Sequence, residues 1–237
     1  MDSFDSPWIK VKEDKIGSKL ILKKIGMPAS FKPSEMIYFQ GELSNNFYYL
    51  QEGRVKVFLL EEDGTEKTFS IHEPGCFFGE ASAIDQLPRP CNACALTPTK
   101  LIVLSPSDLV LLMQLDSEFF YGILQSLTRK IRMLTCQVSN IVFLGAEQRI
   151  AYLLLKFAAD FGIATNEGIK LSISFTDQDL SGIVGNSRVT VTKTLNTFKR
   201  EGLIKKKYRN ITILNQMGLL EYLYPDYESR VKKLKTL

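Results

Sequence analysis

The chain has 237 residues, 45% of them apolar and 24% charged, enough for two ordinary domains with separate cores and too apolar for a disordered chain. No run of about 18 apolar residues occurs, which excludes a membrane-spanning helix, and four cysteines at uneven spacing (Cys76, Cys91, Cys94, Cys136) do not make the disulfide frame of a small secreted domain. The net charge of +4 is unevenly divided: residues 1–145 carry 15 Lys and Arg against 17 Asp and Glu, a net −2, and residues 146–237 carry 15 against 9, a net +6. A basic last third points to a polyanionic partner for that part alone.

The N-terminal stretch MDSFDSPWIKVKEDK places acidic residues ahead of any apolar segment and holds no signal-peptide core, so a cytoplasmic protein is expected. From about Ser30 to Leu104 short strands are punctuated by turn residues. MIYFQGE breaks at Gly41, NNFYYLQEG breaks at Gly53, and RVKVFLLEEDGTEKTFSI reads as a hairpin. In it Val55, Val57 and Leu59 alternate with Arg54, Lys56 and Phe58, and Asp63-Gly64 supplies a tight turn with positive φ angles. Strands at this spacing predict a β-barrel or β-roll.

From about Ser107 to Leu144 the period becomes helical. Phe120, Leu124, Leu127, Ile131, Leu134, Val138 and Ile141 are separated by 4, 3, 4, 3, 4 and 3 residues. That is an a/d seam over about three heptads, narrower than the stripe a core-facing helix needs, and it predicts a homodimer through residues 120–141. The alternative is a helix lying on its own β-roll.

After Gly145 a compact helical domain is expected. AEQRIAYLLLKFAADFG is an amphipathic helix, and a short strand follows around Ile169–Ile173. Thr176 and Asp179 form a capping box for one further helix. Gly185 permits a tight turn, and Asn186 or Ser187 caps a second helix. On that helix Val191, Thr194, Leu195 and Phe198 make a buried face, while Arg188, Val189, Thr192 and Lys193 point away from it. Short polar and basic groups in the first turns of a helix suit the major groove of double-stranded DNA. KKKYRNITIL reads as a two-stranded wing that brings Lys205, Lys206, Lys207 and Arg209 near phosphates.

Three stretches then carry a family resemblance. IYFQGELSNNFYYLQEGRVKVFLLEEDGTEKTFSIHEPGCFFGE, VSNIVFLGAEQRIAYLLL and DLSGIVGNSRVTVTKTL resemble, in this order, the β-roll, the end of the dimer helix and the helix-turn-helix of the Crp/Fnr family of bacterial regulators. The resemblance covers about residues 30–215. It implies an α+β protein in three parts: an effector-sensing, cyclic-nucleotide-binding-type β-roll with an N-terminal extension (1–106), a dimerisation helix (107–145) and a winged helix-turn-helix (146–237). It also implies an allosteric, dimeric transcription regulator that binds DNA and works with RNA polymerase.

FGEASAIDQLPRP resembles the family's phosphate-binding cassette. Gly79 would let backbone N–H groups approach an anion, Arg89 would pair with its charge, and Glu80 would hold a ribose hydroxyl or orient the arginine. Thr135 is similar to a base-contacting residue of the cAMP-type members and adjoins Leu134 on the seam. The resemblance implies an effector such as cAMP or another small anion. Pro90 departs from the pattern because it has no N–H to offer a phosphate, and Leu134 stands where the cAMP-type protein has a second hydroxyl. In the other reading Glu80 and Arg89 form an internal ion pair in a roll that senses something else.

The recognition helix departs too. Val189 stands where members reading a G·C pair have Glu, and an apolar side chain predicts an A·T pair there. Some regulators of dehalogenating bacteria are similar in carrying Val at this place. Lys193 replaces a guanine-reading Arg and lacks its bidentate fork. The iron–sulfur oxygen sensors' N-terminal cysteine cluster is absent, since no Cys precedes Cys76. Cys91-x-x-Cys94 falls in an extended strand, where i and i+3 face opposite sides, which favours structural thiols. His72, the single histidine, is expected to be a strand residue. A redox-controlled or ligand-independent DNA-binding protein, with the roll as dimer scaffold, is the competing reading. Enzymatic function lacks support: no nucleophile–base–acid set, metal-ligand spacing or Walker-type loop is visible, and no metal or catalytic residue is assigned.

Overall fold

The computed structural model describes residues 8–9, 22, 24–115 and 117–224. The chain forms two compact units, which divide at Thr135, inside one long helix. The N-terminal extension and the tail after Tyr224 otherwise lie outside the described residues.

The first unit is built on two sheets. One has the strand order β1-β6-β5-β8-β3, formed by Trp8–Ile9, Glu66–His72, Val55–Leu60, Asn92–Ala95 and Met36–Tyr38. The other has the order β2-β9-β4-β7, formed by Met27–Phe31, Thr99–Leu104, Phe47–Glu52 and Phe77–Phe78. The run FYYL in β4 is buried on both faces because each face has its own apolar partner, the reason such strands read as continuous apolar runs. Tyr48 and Leu50 enter the roll interior with Val55, Phe78 and Leu101. Phe47 and Tyr49 pack outward with Leu109, Leu112, Phe119 and Ile123.

The β5–β6 hairpin differs from its expected form in two ways. Its connection spans Glu61–Thr65, and only Gly64 takes a positive φ; the Thr65 N–H donates to the Asp63 carboxylate at 2.8 Å. A bulge after Val57 lets Phe58 face Thr68 and leaves Phe69 as the extra residue. The alternation therefore breaks at Phe58, which is buried alongside Val57.

This unit wholly or partly contains helices α1 (Glu80–Asp85), α2 (Pro106–Leu115) and α3 (Ser117–Phe143). Helix α3 carries two apolar stripes. Phe119, Ile123 and Met133 are buried against the roll side. Phe120, Leu124, Ile131, Leu134, Val138 and Ile141 are exposed in the single chain, between 37% and 65%. Leu127 alone among the seam residues packs partly against the roll. The alternative placement, a helix lying on its own β-roll, describes one face of α3, while the seam face stays open in the single chain.

The second unit holds α4 (Ala146–Phe161), α5 (Asp177–Val184), α6 (Arg188–Arg200) and α7 (Gln216–Leu223). Its sheet has the order β10-β11-β13-β12, from Gly162–Thr165, Gly168–Leu171, Asn210–Ile213 and Ile204–Lys207. The strand expected at Ile169–Ile173 is β11, and it pairs with β10, which the sequence reading did not anticipate. The Phe157 ring stacks on Phe175 at 4.5 Å and Phe198 meets Tyr222 edge-on at 4.8 Å, so aromatic pairs fix the core beneath α6.

Candidate effector site and DNA-reading surface

The cassette segment begins where β7 ends. Gly79 takes φ 75°, and a Cβ there would lie 3.0 Å from Arg89 Nη1 and 3.1 Å from the Tyr48 ring. Only glycine combines that φ with that approach. Arg89 is 2% exposed. Its Nη1 donates to the Gly79 carbonyl at 2.7 Å, and its Nη2 donates to the Asn46 carbonyl at 2.6 Å and the Ser44 hydroxyl at 3.1 Å. The guanidinium lies 4.4 Å over the Tyr38 ring and 5.7 Å from Tyr48. Burial pushes both phenols above their ordinary pKa, more than the Arg89 charge lowers them, so both are neutral. Arg89 is therefore a buried cation whose recorded partners are all neutral, and its Nε–H has no acceptor among the described residues.

Glu80 does not pair with Arg89, which corrects that expectation. Its Oε1 accepts from Lys130 Nζ of α3 at 2.7 Å, and the same ammonium donates to the Phe77 carbonyl at 2.9 Å. The carboxylate is drawn across by a cation 50 residues away whose position on the seam helix gave no hint of it. Glu80 Oε2 and Ser82 Oγ remain buried without a partner among the described residues. Leu134 and Thr135 are exposed on α3. Lys130, Tyr38 and Tyr48 are the site residues that sequence reasoning missed. His72, a strand residue as expected, is buried, lies 3.0 Å from the Ser70 hydroxyl and packs on Phe78. Burial, with Lys130 nearby, holds its pKa well below 6.5, so it is neutral.

In the second unit the predicted local signals take their expected form. Thr176 caps α5, accepting the Asp179 N–H at 3.0 Å while Asp179 accepts the Thr176 N–H at 2.7 Å. Gly185 turns the chain at φ 67°, and Ser187, not Asn186, caps α6 through the Thr190 N–H at 3.1 Å. Asn186 instead accepts from Arg149. Val191, Thr194, Leu195 and Phe198 are buried. Arg188, Val189 and Lys193 are exposed and Thr192 is half-buried beside them, on the outward side of α6. The wing turns at Tyr208, φ 54°. Lys207 and Arg209 are exposed at its tip. Lys205 and Lys206 are engaged, with Glu167 and Asp177 respectively.

Residues 28–116 match the cyclic nucleotide-binding domain and residues 148–222 match the Crp-like helix-turn-helix domain. The cAMP-activated global transcriptional regulator CRP of Pasteurella multocida is 31% identical over 73% of this chain and 83% of its own length. The chain belongs to the Crp/Fnr family of transcription regulators. The CRP-like cAMP-activated global transcriptional regulator of Mycobacterium tuberculosis is 27% identical over 81% of this chain and 86% of its own. A mutant of CooA from Carboxydothermus hydrogenoformans superposes with a TM-score of 0.77 at 23% identity, over 90% of this chain and 92% of its own, which shows the shared fold. This Crp/Fnr protein is an effector-controlled, DNA-binding regulator of transcription, in a family of regulators and not of enzymes.

None of the regulator's four cysteines is in a disulfide. Burial pushes the Cys76 and Cys91 thiols up to about 11 and raises Cys94 as well. A thiol is reactive as its thiolate, so this family member is expected to resist redox control through the roll. At pH 7.5 alkylation of Cys76 and Cys91 in the native protein should be at least roughly 100-fold slower than in the unfolded chain, as mass spectrometry of timed iodoacetamide quenches would read. Equal rates in the two states would restore the redox reading.

Proposed function

We propose that the β-roll takes a small anionic effector whose charge meets Arg89, and that this binding controls a homodimer that reads DNA with α6. The observation that carries the proposal is the buried guanidinium with neutral partners and an unoccupied Nε–H. A buried charge is costly unless paired, and an anion accepting from Nε relieves that cost. Cyclic AMP is the first compound of this class to test, because the relatives from Pasteurella and Mycobacterium are named as cAMP-activated. Two features of this chain favour a different anion: Pro90 offers no N–H, and Glu80 is tied to Lys130 rather than open to a ribose hydroxyl.

The exposed seam of α3 is the proposed dimer contact, which would set Leu134 and Thr135 of each copy beside the other. Arg188, Val189, Thr192 and Lys193 would face bases, and Ser187, Lys207 and Arg209 would face phosphates, joined by Lys205 and Lys206 on exchange of their carboxylates. Val189 would select an A·T pair through a thymine methyl. The protein would act in the cytoplasm on RNA polymerase bound nearby. For effector control, the ligand must bind the DNA-competent state better by about 1–3 kcal/mol.

Calorimetric titration of the purified chain with cAMP, then cGMP, then a panel of small organic anions tests the effector reading. Saturable heat with one of them, lost in Arg89→Leu, is the expected result. Failure of every anion, alongside a neutral or cationic compound that changes DNA binding, would overturn it.

A further inference from the structure

A carboxylate at the DNA-reading surface is unexpected, since it repels the phosphates that the surrounding cations attract. Asp177 is the first residue of α5, a position where the helix N-terminus favours an acid. Its two oxygens are divided between two other elements. Oδ2 accepts from the Thr192 hydroxyl of α6 at 2.6 Å, and Oδ1 pairs with Lys206 Nζ of β12. Arg188 also lines the cleft at Asp177, about 410 Å³ in volume, together with Gln178, Tyr208 and Arg209. Burial raises the Asp177 pKa, but the hydrogen bonds from Lys206 and Thr192 and the charges of Lys206 and Arg188 outweigh it, so the group is held ionised.

The consequence falls on Thr192. It sits three residues after Val189 and one before Lys193, so the three share one face of α6. A threonine hydroxyl has one hydrogen to donate and two lone pairs that accept. An ionised carboxylate can only accept, so the single hydrogen of Thr192 is committed to Asp177. What Thr192 can offer a base is then an acceptor oxygen and a methyl group. In the major groove the amino groups of adenine and cytosine donate, whereas guanine O6 and N7 and thymine O4 accept.

We infer that Asp177 is a specificity-determining positioning residue: by holding the Thr192 hydroxyl hydrogen it makes Thr192 an acceptor-only reader that favours adenine or cytosine over guanine or thymine on the contacted strand. This rests on α6 being the DNA-reading helix. It concerns a different base step from the one facing Val189, one helical turn along α6.

The test is selection of randomised duplexes by the full-length chain, in parallel for wild type, Asp177→Ala, Thr192→Val, Thr192→Ser and the Asp177→Ala/Thr192→Val pair, with the anion panel present. The wild type is expected to enrich a motif in which one column favours A or C by about fivefold, the discrimination of a single hydrogen bond. That preference should fall to within about twofold in Asp177→Ala and Thr192→Val, persist in Thr192→Ser, and be no lower in the double variant than in Thr192→Val alone. Asp177→Ala also frees Lys206 from its carboxylate before DNA is bound, so its overall binding should hold or tighten. A column unchanged in Asp177→Ala overturns the inference, as does a loss spread equally over all columns, which marks a merely structural role. Wild-type protein that binds the duplexes yet enriches no motif overturns the DNA-reading assignment itself, and the inference with it.

Discussion

A chain carrying Leu124→Glu and Val138→Glu is expected to run as a monomer at micromolar concentration and to bind a full palindromic site at least roughly 100-fold more weakly than the parent. The two side chains are 44% and 60% exposed in the single chain, so the substitutions remove little from the fold of either unit. In a dimer built on the seam both would be buried against the same residues of a second copy. Each change would then place a carboxylate in an apolar contact, without a partner cation, close to its own symmetry mate. The loss in DNA binding follows from linkage and not from contacts with DNA. A dimer holds its second recognition helix at high effective concentration over the second half-site, and a monomer does not. Light scattering coupled to gel filtration, with anisotropy titrations on full and half sites, would read both effects. A double variant that stays dimeric would remove the seam as the interface. One that becomes monomeric yet binds full sites unchanged would break the link between dimer and operator.

The seam illustrates what the sequence shows and what it hides. A 4-3-4-3 spacing of large apolar residues is one-dimensional information, and it survives into the structure as an exposed stripe. The second stripe, Phe119, Ile123 and Met133, was obscured because it shares the same helix and only contact with the roll distinguishes it. Local chemistry was equally legible. Thr176, Gly185 and Ser187 act through neighbours at most four residues away, so their roles follow from spacing. Gly79 and Arg89 were recognisable through the cassette pattern, and they meet in space. The partners of the charged groups were not legible. Lys130 reaches Glu80 across 50 residues and Asp177 reaches Lys206 across 29, and nothing local in the chain encodes those pairings. The bulge at Phe58 was hidden for a related reason: the extra residue is Phe69, on the partner strand, so nothing within β5 itself marks where its alternation breaks.

Arg89→Leu is expected to abolish the response to the effector, weakening its binding by about 2–5 kcal/mol, or roughly 30- to 5,000-fold, the usual result of deleting one member of a buried charge pair. The sign of its effect on the unliganded protein is less obvious and more informative. Leucine leaves the carbonyls of Gly79 and Asn46 without the donors they now have, which costs stability. It also removes a buried cation held only by neutral groups and two tyrosine faces, which restores some. The two terms oppose each other, so the melting temperature of the ligand-free protein should move far less than effector affinity does. Arg89→Lys separates charge from geometry. It keeps the cation but cannot donate to both Gly79 and Asn46 from one plane, and it has no Nε–H. It should bind the effector with an intermediate loss and remain responsive at high concentration. Were the leucine variant to keep full affinity, the anion would have to lie elsewhere, and Lys130, a half-buried cation beside the cassette, would be the next candidate to receive it. Were binding retained but control of DNA binding lost, Arg89 would belong to the coupling between effector and DNA and not to recognition. In that case its hold on Gly79, at the head of α1, would be what carries the signal.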